Sequence, residues 1–582
     1  MLTRREFLQL LSSAALCGHI PLSTASTESL YGFKPFGNTR LLHFTDCHAQ
    51  LLPVYYREPD VNIGLAEATN RPPHLVAQAM LDHFQLTDPR LIHAFTAVNY
   101  EQALLKYGKV GGFAHLATLI KQMRSQMGAQ RTLLLDGGDT WQGSGTAYKT
   151  QGMDMVEACN LLGVDVMTGH WEFTYQDHQT LANIAAFNGT FVAQNVHATE
   201  EALFADSPVF DSESGHVFPP YTIKTLADSR VAVIGQAFPY TPVANPKRFI
   251  PDWTFGIKEE ELQSLVDEIR AQHRPDVIVL LSHNGADVDI KLASRVSHID
   301  VILGGHTHDG IPHALEIKNP QGITLVTNAG SNGKFLGVMD LAISGGKIRD
   351  YRYRLLPVFA NLLPADTAML AHIERVRQPF RPWLDEELGY TESTLYRRGN
   401  FNGTFDQLIC NALREQNDTQ ISLSPGFRWG TTVPVNSPIT MEHVLDQTCM
   451  TYPETYRQEM TGAQLKLILE DVCDNLFNPN PYYQQGGDMV RLGGMHYHCR
   501  PKQKIGHRID AMRLDNGELI EATKTYTVAG WATVNRRASG APVWDQVAEH
   551  IRQHKKITID SVNTPKLSGV DNNLGRIKSN AG

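Results

Sequence analysis

A chain of 582 residues is too long for a single hydrophobic core, so two sizeable domains behind a leader are the arrangement to expect. Apolar residues at 42% and charged residues at 19% are the balance of an ordinary globular protein. The net charge of −9 argues against a nucleic-acid binder, whose phosphate contacts need a basic face.

Residues 1–25 read as a targeting segment. Arg4-Arg5 opens a paired-arginine region, a weakly apolar stretch runs from Phe7 to Ile20, and Ser23-Thr24-Ala25 offers a small-residue cleavage site. Twin-arginine export to the periplasm is the expectation. No later segment has the ~18 to 20 apolar residues a membrane span requires. Loss of Cys17 with the leader leaves Cys47, Cys159, Cys410, Cys449, Cys473 and Cys499, in no zinc-ribbon spacing. The four in the C-terminal half are the candidates for the disulfides an oxidising compartment permits.

Along the first half, short runs rich in Leu, Val and Ile predict strands at 40–44, 132–135, 165–167, 276–281 and 300–303, with helical spacing at 112–127 and 259–272 between them. Continuous apolar runs of that length suit an α/β sheet buried on both faces. Residues 365–387 read as a helix or helix pair interrupted by Pro379 and Pro382, a connector. Beyond it, helices at 406–416 and 463–475 and strands at 420–423 and 525–529 predict a separate α+β domain.

Each predicted strand of the first half runs into a polar loop: Thr45-Asp46-Cys47-His48, Asp136-Gly137-Gly138-Asp139, Gly169-His170-Trp171-Glu172, Ser282-His283-Asn284 and Gly304-Gly305-His306-Thr307-His308. In open α/β sheets ligands bind outside the carboxyl ends of strands. Five loops therefore bring Asp and His to one edge. In extended backbone, residues i and i+2 point the same way, so Asp46 with His48, and His306 with His308, can face a common metal site. Mixed imidazole and carboxylate ligands suit Mn, Fe, Zn or Co, and seven of them suit two ions rather than one. The other histidines (His43, His178, His298, His313) read as ordinary loop or packed residues, and His496-Tyr497-His498 as a surface strand.

This series of motifs resembles the calcineurin-like metallophosphoesterases, and within them the 5'-nucleotidase family with its C-terminal substrate domain. The resemblance implies an N-terminal β-sandwich flanked by helices at 38–357, a helical linker at 358–390 and an α+β substrate domain at 391–570. It implies one metal on Asp46, His48, Asp139 and His308, another on Asp139, His170, His283 and His306, and a water activated by both cations.

The third motif departs from the family. Where the family reads Gly-Asn-His-Glu-Phe-Asp, this chain reads Gly169-His170-Trp171-Glu172-Phe173-Thr174. Trp171 and Thr174 stand where the family keeps a His–Asp dyad, and indole cannot act as a general acid. An alkoxide leaving group gains much from a proton donor, whereas a thiolate, with a reference pKa of ~8.5, is far less basic. The substitution points from a nucleotide ester toward sulfur.

Longer stretches are similar to the SoxB family of sulfate thiohydrolases: His43 to Pro53, Gly138 to Ser144, Gly169 to Phe173, Leu423-Ser424-Pro425-Gly426-Phe427-Arg428-Trp429-Gly430, and Tyr482 to Arg491. That likeness implies a dimanganese hydrolase releasing sulfate from a cysteine S-thiosulfonate on the C-terminal arm of the SoxYZ carrier. The expected catalytic residues are Asp139, His170 and Arg428. Arg428, Trp429, Gly486, Gly487, Asp488 and Arg491 are the expected substrate contacts, since an anionic sulfonate wants guanidinium and backbone N–H donors. A periplasmic nucleotidase or nucleotide-sugar hydrolase is the alternative.

Overall fold

The structure, a computed structural model, describes residues 30–535 and 537–577; the leader at 1–25 lies outside the described residues. The first half is a sandwich of two six-stranded sheets. One runs Lys347–Pro357, Phe335–Ser344, Thr39–Phe44, Thr132–Asp136, Val166–Met167, Thr190–Phe191, and the other Leu315–Asn319, Gly322–Asn328, Val301–Gly304, Val277–Ser282, Arg230–Gln236, Tyr221–Thr225. Every strand expected in the first half is present, to within about a residue at each end.

Alternation explains the layering. Leu41 faces the other sheet, among Val277, Val279 and Val301. Leu42 faces the opposite way, into a cluster with Leu116 and Ile120 of the Phe113–Met127 helix. On the second sheet, Ile278 and Leu280 meet Leu262, Val266 and Ile269 of the Glu259–Gln272 helix. Period-2 side chains on strands covered on both faces give a four-layer α/β/β/α stack.

Parallel pairing then brings the loops together. Phe44 sits opposite Asp136, and Leu135 opposite Val166; Gly304 sits opposite Ser282. Strands in parallel register end at a common edge, and all five polar loops leave from there.

The second unit carries a four-stranded sheet, ordered Thr455–Thr461, Thr525–Trp531, Ile421–Ser424, Arg491–Gly493, with two three-stranded sheets and the helices Thr404–Asn417, Gly462–Phe477 and Val543–His554. The connector is the expected helix interrupted at its prolines, and its end, expected as linker to residue 390, differs. Its helix ends at Arg377, and residues Glu387–Thr391 form a strand of the second unit. Pro379 and Pro382 occupy the first turns of two short helical pieces, where their missing N–H has no partner to lose. Met369, Ile373 and Val376 are buried in the core of the first half, so the connector packs as part of it.

All six cysteines are buried free thiols. Only one pair among the four disulfide candidates has its sulfurs together: Cys473 and Cys499, 3.7 Å apart. Cys449 instead donates to the Ser144 carbonyl. Among the described residues no helix is long and apolar enough to cross a membrane.

Candidate metal centre

Two clusters form at the shared strand edge. Asp46, His48, Asp139 and His308 make one, and Asp139, His170, His283 and His306 the other; all are buried, and Asp139 belongs to both. The grouping matches the expected ligand sets. Neighbours two residues apart do not always share a cluster. Backbone at these positions is left-handed, with φ of 52° at Asp46, 46° at His48, 56° at Asp139, 73° at His306 and 60° at His308. Asp46 and His48 still converge, but His306 and His308 part, one to each cluster. The i, i+2 rule fails here because it holds only for extended chain. Non-glycine residues in this region cost ~1–3 kcal/mol each, the kind of strain that clusters at functional sites.

Asp139 reaches both sides with one oxygen. Its Oδ2 lies 3.0 Å from His283 Nε2, 3.4 Å from His170 Nδ1 and 3.9 Å from His48 Nε2. Its Oδ1 accepts from the Trp171 N–H at 2.7 Å. Asp46 Oδ1 lies 3.2 Å from His308 Nε2, while both its oxygens take the His306 N–H at 3.0 Å and Oδ2 takes the Thr45 hydroxyl at 2.6 Å. His283 Nδ1 is held on the Gly137 carbonyl at 2.7 Å, which turns Nε2 toward the cluster.

These residues fit a pair of divalent ions. His48 Nδ1, His283 Nε2, His308 Nδ1 and both ring nitrogens of His170 and His306 are buried without hydrogen-bond partners. So many orphaned polar atoms would be costly unless a cation took some of them. Carboxylate plus imidazole is a donor set for Mn, Fe, Zn or Co.

Electrostatics prepare the same state. Burial pushes His48 down to about 3, His306 and His308 well below the ordinary imidazole range, and His170 downward too, so these rings stay neutral. His283 is the exception. Burial lowers it, but the carboxylates of Asp139 and Asp46 prevail and raise it to about 10. Asp139 is held well below the carboxylate range: burial opposes its charge, and His283 and His170 outweigh that.

Glu172 is the support that sequence reading quoted without a role. Its buried carboxylate accepts backbone N–H groups of Thr140 (2.7 Å), His170 (2.9 Å), Trp141 (3.1 Å) and Asp139 (3.3 Å), tying two ligand loops together. Thr174 donates to the Trp171 carbonyl at 2.7 Å, so it braces the loop rather than pairing with a proton carrier.

The second unit closes one side. Trp429 stacks on His48 with centroids 5.2 Å apart, Trp171 meets Trp429 edge-on at 5.4 Å, and Phe427 stacks on Trp429 at 4.1 Å. Arg428, between those two aromatics in sequence, donates to the Gly487 carbonyl at 2.9 Å and lies 3.6 Å from Asp488. Its Nη1 is buried with no hydrogen-bond partner. Gly486, at φ 82°, lies against His306: a Cβ there would come within 2.3 Å of the ring. Asp488 and Arg491 stand behind this loop. Arg491 is fully buried between Asp406 and Asp488, a positioning pair rather than an accessible anion contact. Sequence reading missed Arg398, which donates to the Thr307 carbonyl between the two ligand histidines and lies 3.9 Å from Asp488. The paired arginines Arg397-Arg398 before a glycine were the available signal. It also missed Phe238, stacked on His306 at 4.0 Å; an apolar residue gives no such signal.

A family model, the 5'-nucleotidase C-terminal domain, matches residues 386–546. The crystal structure of sulfate thiohydrolase SoxB from Thermus thermophilus is 32% identical, with a TM-score of 0.85, over 92% of this chain and 98% of that one. Bovine (Bos taurus) 5'-nucleotidase is 26% identical over 72% of this chain and 76% of its own length. The trifunctional nucleotide phosphoesterase YfkN of Bacillus subtilis (strain 168) is 26% identical over 75% of this chain, which spans only 31% of that longer protein. With the two-domain architecture and the twin His/Asp clusters, these likenesses make the chain a metallophosphoesterase-type hydrolase, a member of the 5'-nucleotidase family within the calcineurin-like phosphoesterase superfamily.

Proposed function

We propose that this hydrolase releases sulfate from a cysteine S-thiosulfonate carried on the C-terminal arm of a SoxYZ-type carrier, in the periplasm after twin-arginine export. The observation that carries the reading is Trp171. It stands where the family keeps a proton-donating His, and its ring packs against His170 at 4.6 Å and Trp429 at 5.4 Å. A wall of Trp171, Phe427 and Trp429 offers a thioether-like sulfur favourable aromatic contacts. It offers an alkoxide no proton. The likeness to the Thermus sulfate thiohydrolase supports the same substrate.

Asp46, His48, Asp139 and His308 would hold one divalent ion, and Asp139, His170, His283 and His306 the other; manganese is the metal the resemblance implies. Bound there, such a pair supplies Lewis acidity toward both water and the anionic substrate. The chain's own groups do the rest. Arg428 Nη1 is free to take a sulfonate oxygen, and a charge-assisted bond of this kind is strong in a dry site. Glu172 holds the ligand loops in place. Water oxygen adds to the terminal sulfonate sulfur, the S–S bond breaks with its pair on the outgoing sulfur, and carrier persulfide, sulfate and two protons result. The outgoing persulfide leaves as an anion, so no general acid is required at position 171.

A periplasmic nucleotidase is the second reading, favoured by the C-terminal domain match. The test is sulfate and phosphate release measured side by side, by manganese-loaded protein offered thiosulfonated carrier or a nucleoside monophosphate. Sulfate release alone is expected. Phosphate release alone would overturn the sulfur reading in favour of the nucleotidase.

A further inference from the structure

Away from the dinuclear centre, the helices Thr404–Asn417 and Val543–His554 of the second unit pack against each other and contribute no residue to either cluster. His550 and His554 are four residues apart on the second helix, hence on one face. Their rings lie 4.4 Å apart. Glu415, in the last turn of the first helix, reaches both: His554 Nε2 lies 2.9 and 3.0 Å from its two oxygens, and His550 Nδ1 2.9 Å from Oε2. We propose that Glu415, His550 and His554 form a separate binding site for a zinc-class ion that pins the ends of these two helices together.

Geometry, charge and donor chemistry carry the assignment. One oxygen and two ring nitrogens lie within 4.8 Å of one another; a tetrahedral zinc with bonds of ~2.1 Å spreads its ligands ~3.4 Å apart, so small rotations suffice. His550 is buried, yet its Nδ1 points at Glu415 outside hydrogen-bond geometry and has no other partner. Cationic neighbours are engaged elsewhere: Arg414 with Asp515, Lys556 with Glu392, and Arg552 with Glu386. Both helices also end here, and their C-terminal dipoles favour a cation. An open cleft of about 570 Å³ beside the trio leaves room for water to complete the coordination. Two imidazoles and a carboxylate suit zinc, nickel or copper better than magnesium or calcium.

The test is zinc bound per chain after desalting, for the wild-type protein, His554→Ala and Glu415→Gln. Both side chains are about half exposed at helix ends, so either replacement leaves the core intact, and the dinuclear centre contributes equally to all three counts. Wild type should retain one zinc more than either variant, with a zinc-edge anomalous peak between the helices that the variants lack and a larger zinc-dependent rise in unfolding temperature than theirs. Equal counts in all three proteins, or no anomalous peak there, would overturn the site.

Discussion

Asp139 is the residue on which both clusters depend, since one of its oxygens faces His283, His170 and His48 together. Asp139→Ala should therefore remove the ligand both clusters share: manganese content by mass spectrometry falls below two per chain and turnover drops by more than ~100-fold. Unchanged activity would mean a catalytic site elsewhere. Trp171 makes the complementary test. Restoring the family's residue with Trp171→His should leave sulfate release no faster, because a sulfur leaving group needs no acid there. A large gain would sink the argument from leaving-group basicity. The replacement also removes packing against Phe427 and Trp429, and a stability loss of ~1–3 kcal/mol should accompany it.

Loops and helix ends decide how well those side chains are held. Residues 484–488 lie over the second cluster with Gly486 touching His306, a place where only a glycine fits both the left-handed backbone and the close approach. Gly486→Ala should displace the loop from His306 at a strain cost of ~1–3 kcal/mol. The expected readouts are a lower unfolding temperature and a kcat/KM reduced roughly tenfold. At the start of the Met153–Leu162 helix, Asp154 is buried with one oxygen on the Thr150 hydroxyl and the other unpartnered. Burial raises its pKa from 3.8 to about 6. The native state thus holds a proton that the unfolded chain has already lost, so stability is greatest below pH ~4 for this group and is lost as pH rises through about 6. The loss is of order 3 kcal/mol. Asp154→Asn should remove that slope between pH 4 and 6 in denaturation curves; an unaltered slope would assign it to other groups.

On the scale of the whole molecule, the two halves are stitched rather than merely joined. Ile63 of the first half is buried in the core of the second, Gln50 donates to Asp446, Gln142 donates to the Cys449 carbonyl, and Trp429 stacks on His48. The tail past residue 570 returns to the first half: the Asn62 N–H donates to the Gly575 carbonyl, and the Asn573 side-chain amide donates to the Gly64 carbonyl. Deleting residues 571–582 should therefore destabilise the protein by ~1–3 kcal/mol, at ~1 kcal/mol per lost hydrogen bond, read as a lower midpoint in urea. An unchanged midpoint would show that the returning tail contributes no stability.

Strand positions, the helices between them and the identities of the clustered Asp and His residues were all legible in the sequence, because buried parallel strands need unbroken apolar runs and metal ligands come from few residue types. The change at Trp171 was legible too, since it needed only the motif around it. Tertiary structure decided how His306 and His308 come to serve different clusters: they diverge through left-handed backbone that no two-residue periodicity foresees, although the family resemblance already implied the division. It also decided that Arg491 is locked in a buried ion-pair network, that the connector helix belongs to the first core, and that Glu415 meets His550 and His554 from 135 and more residues away. Sequence spacing governs neighbours along a strand or helix; contacts between distant segments depend on how whole elements pack, and that information is spread over the entire chain.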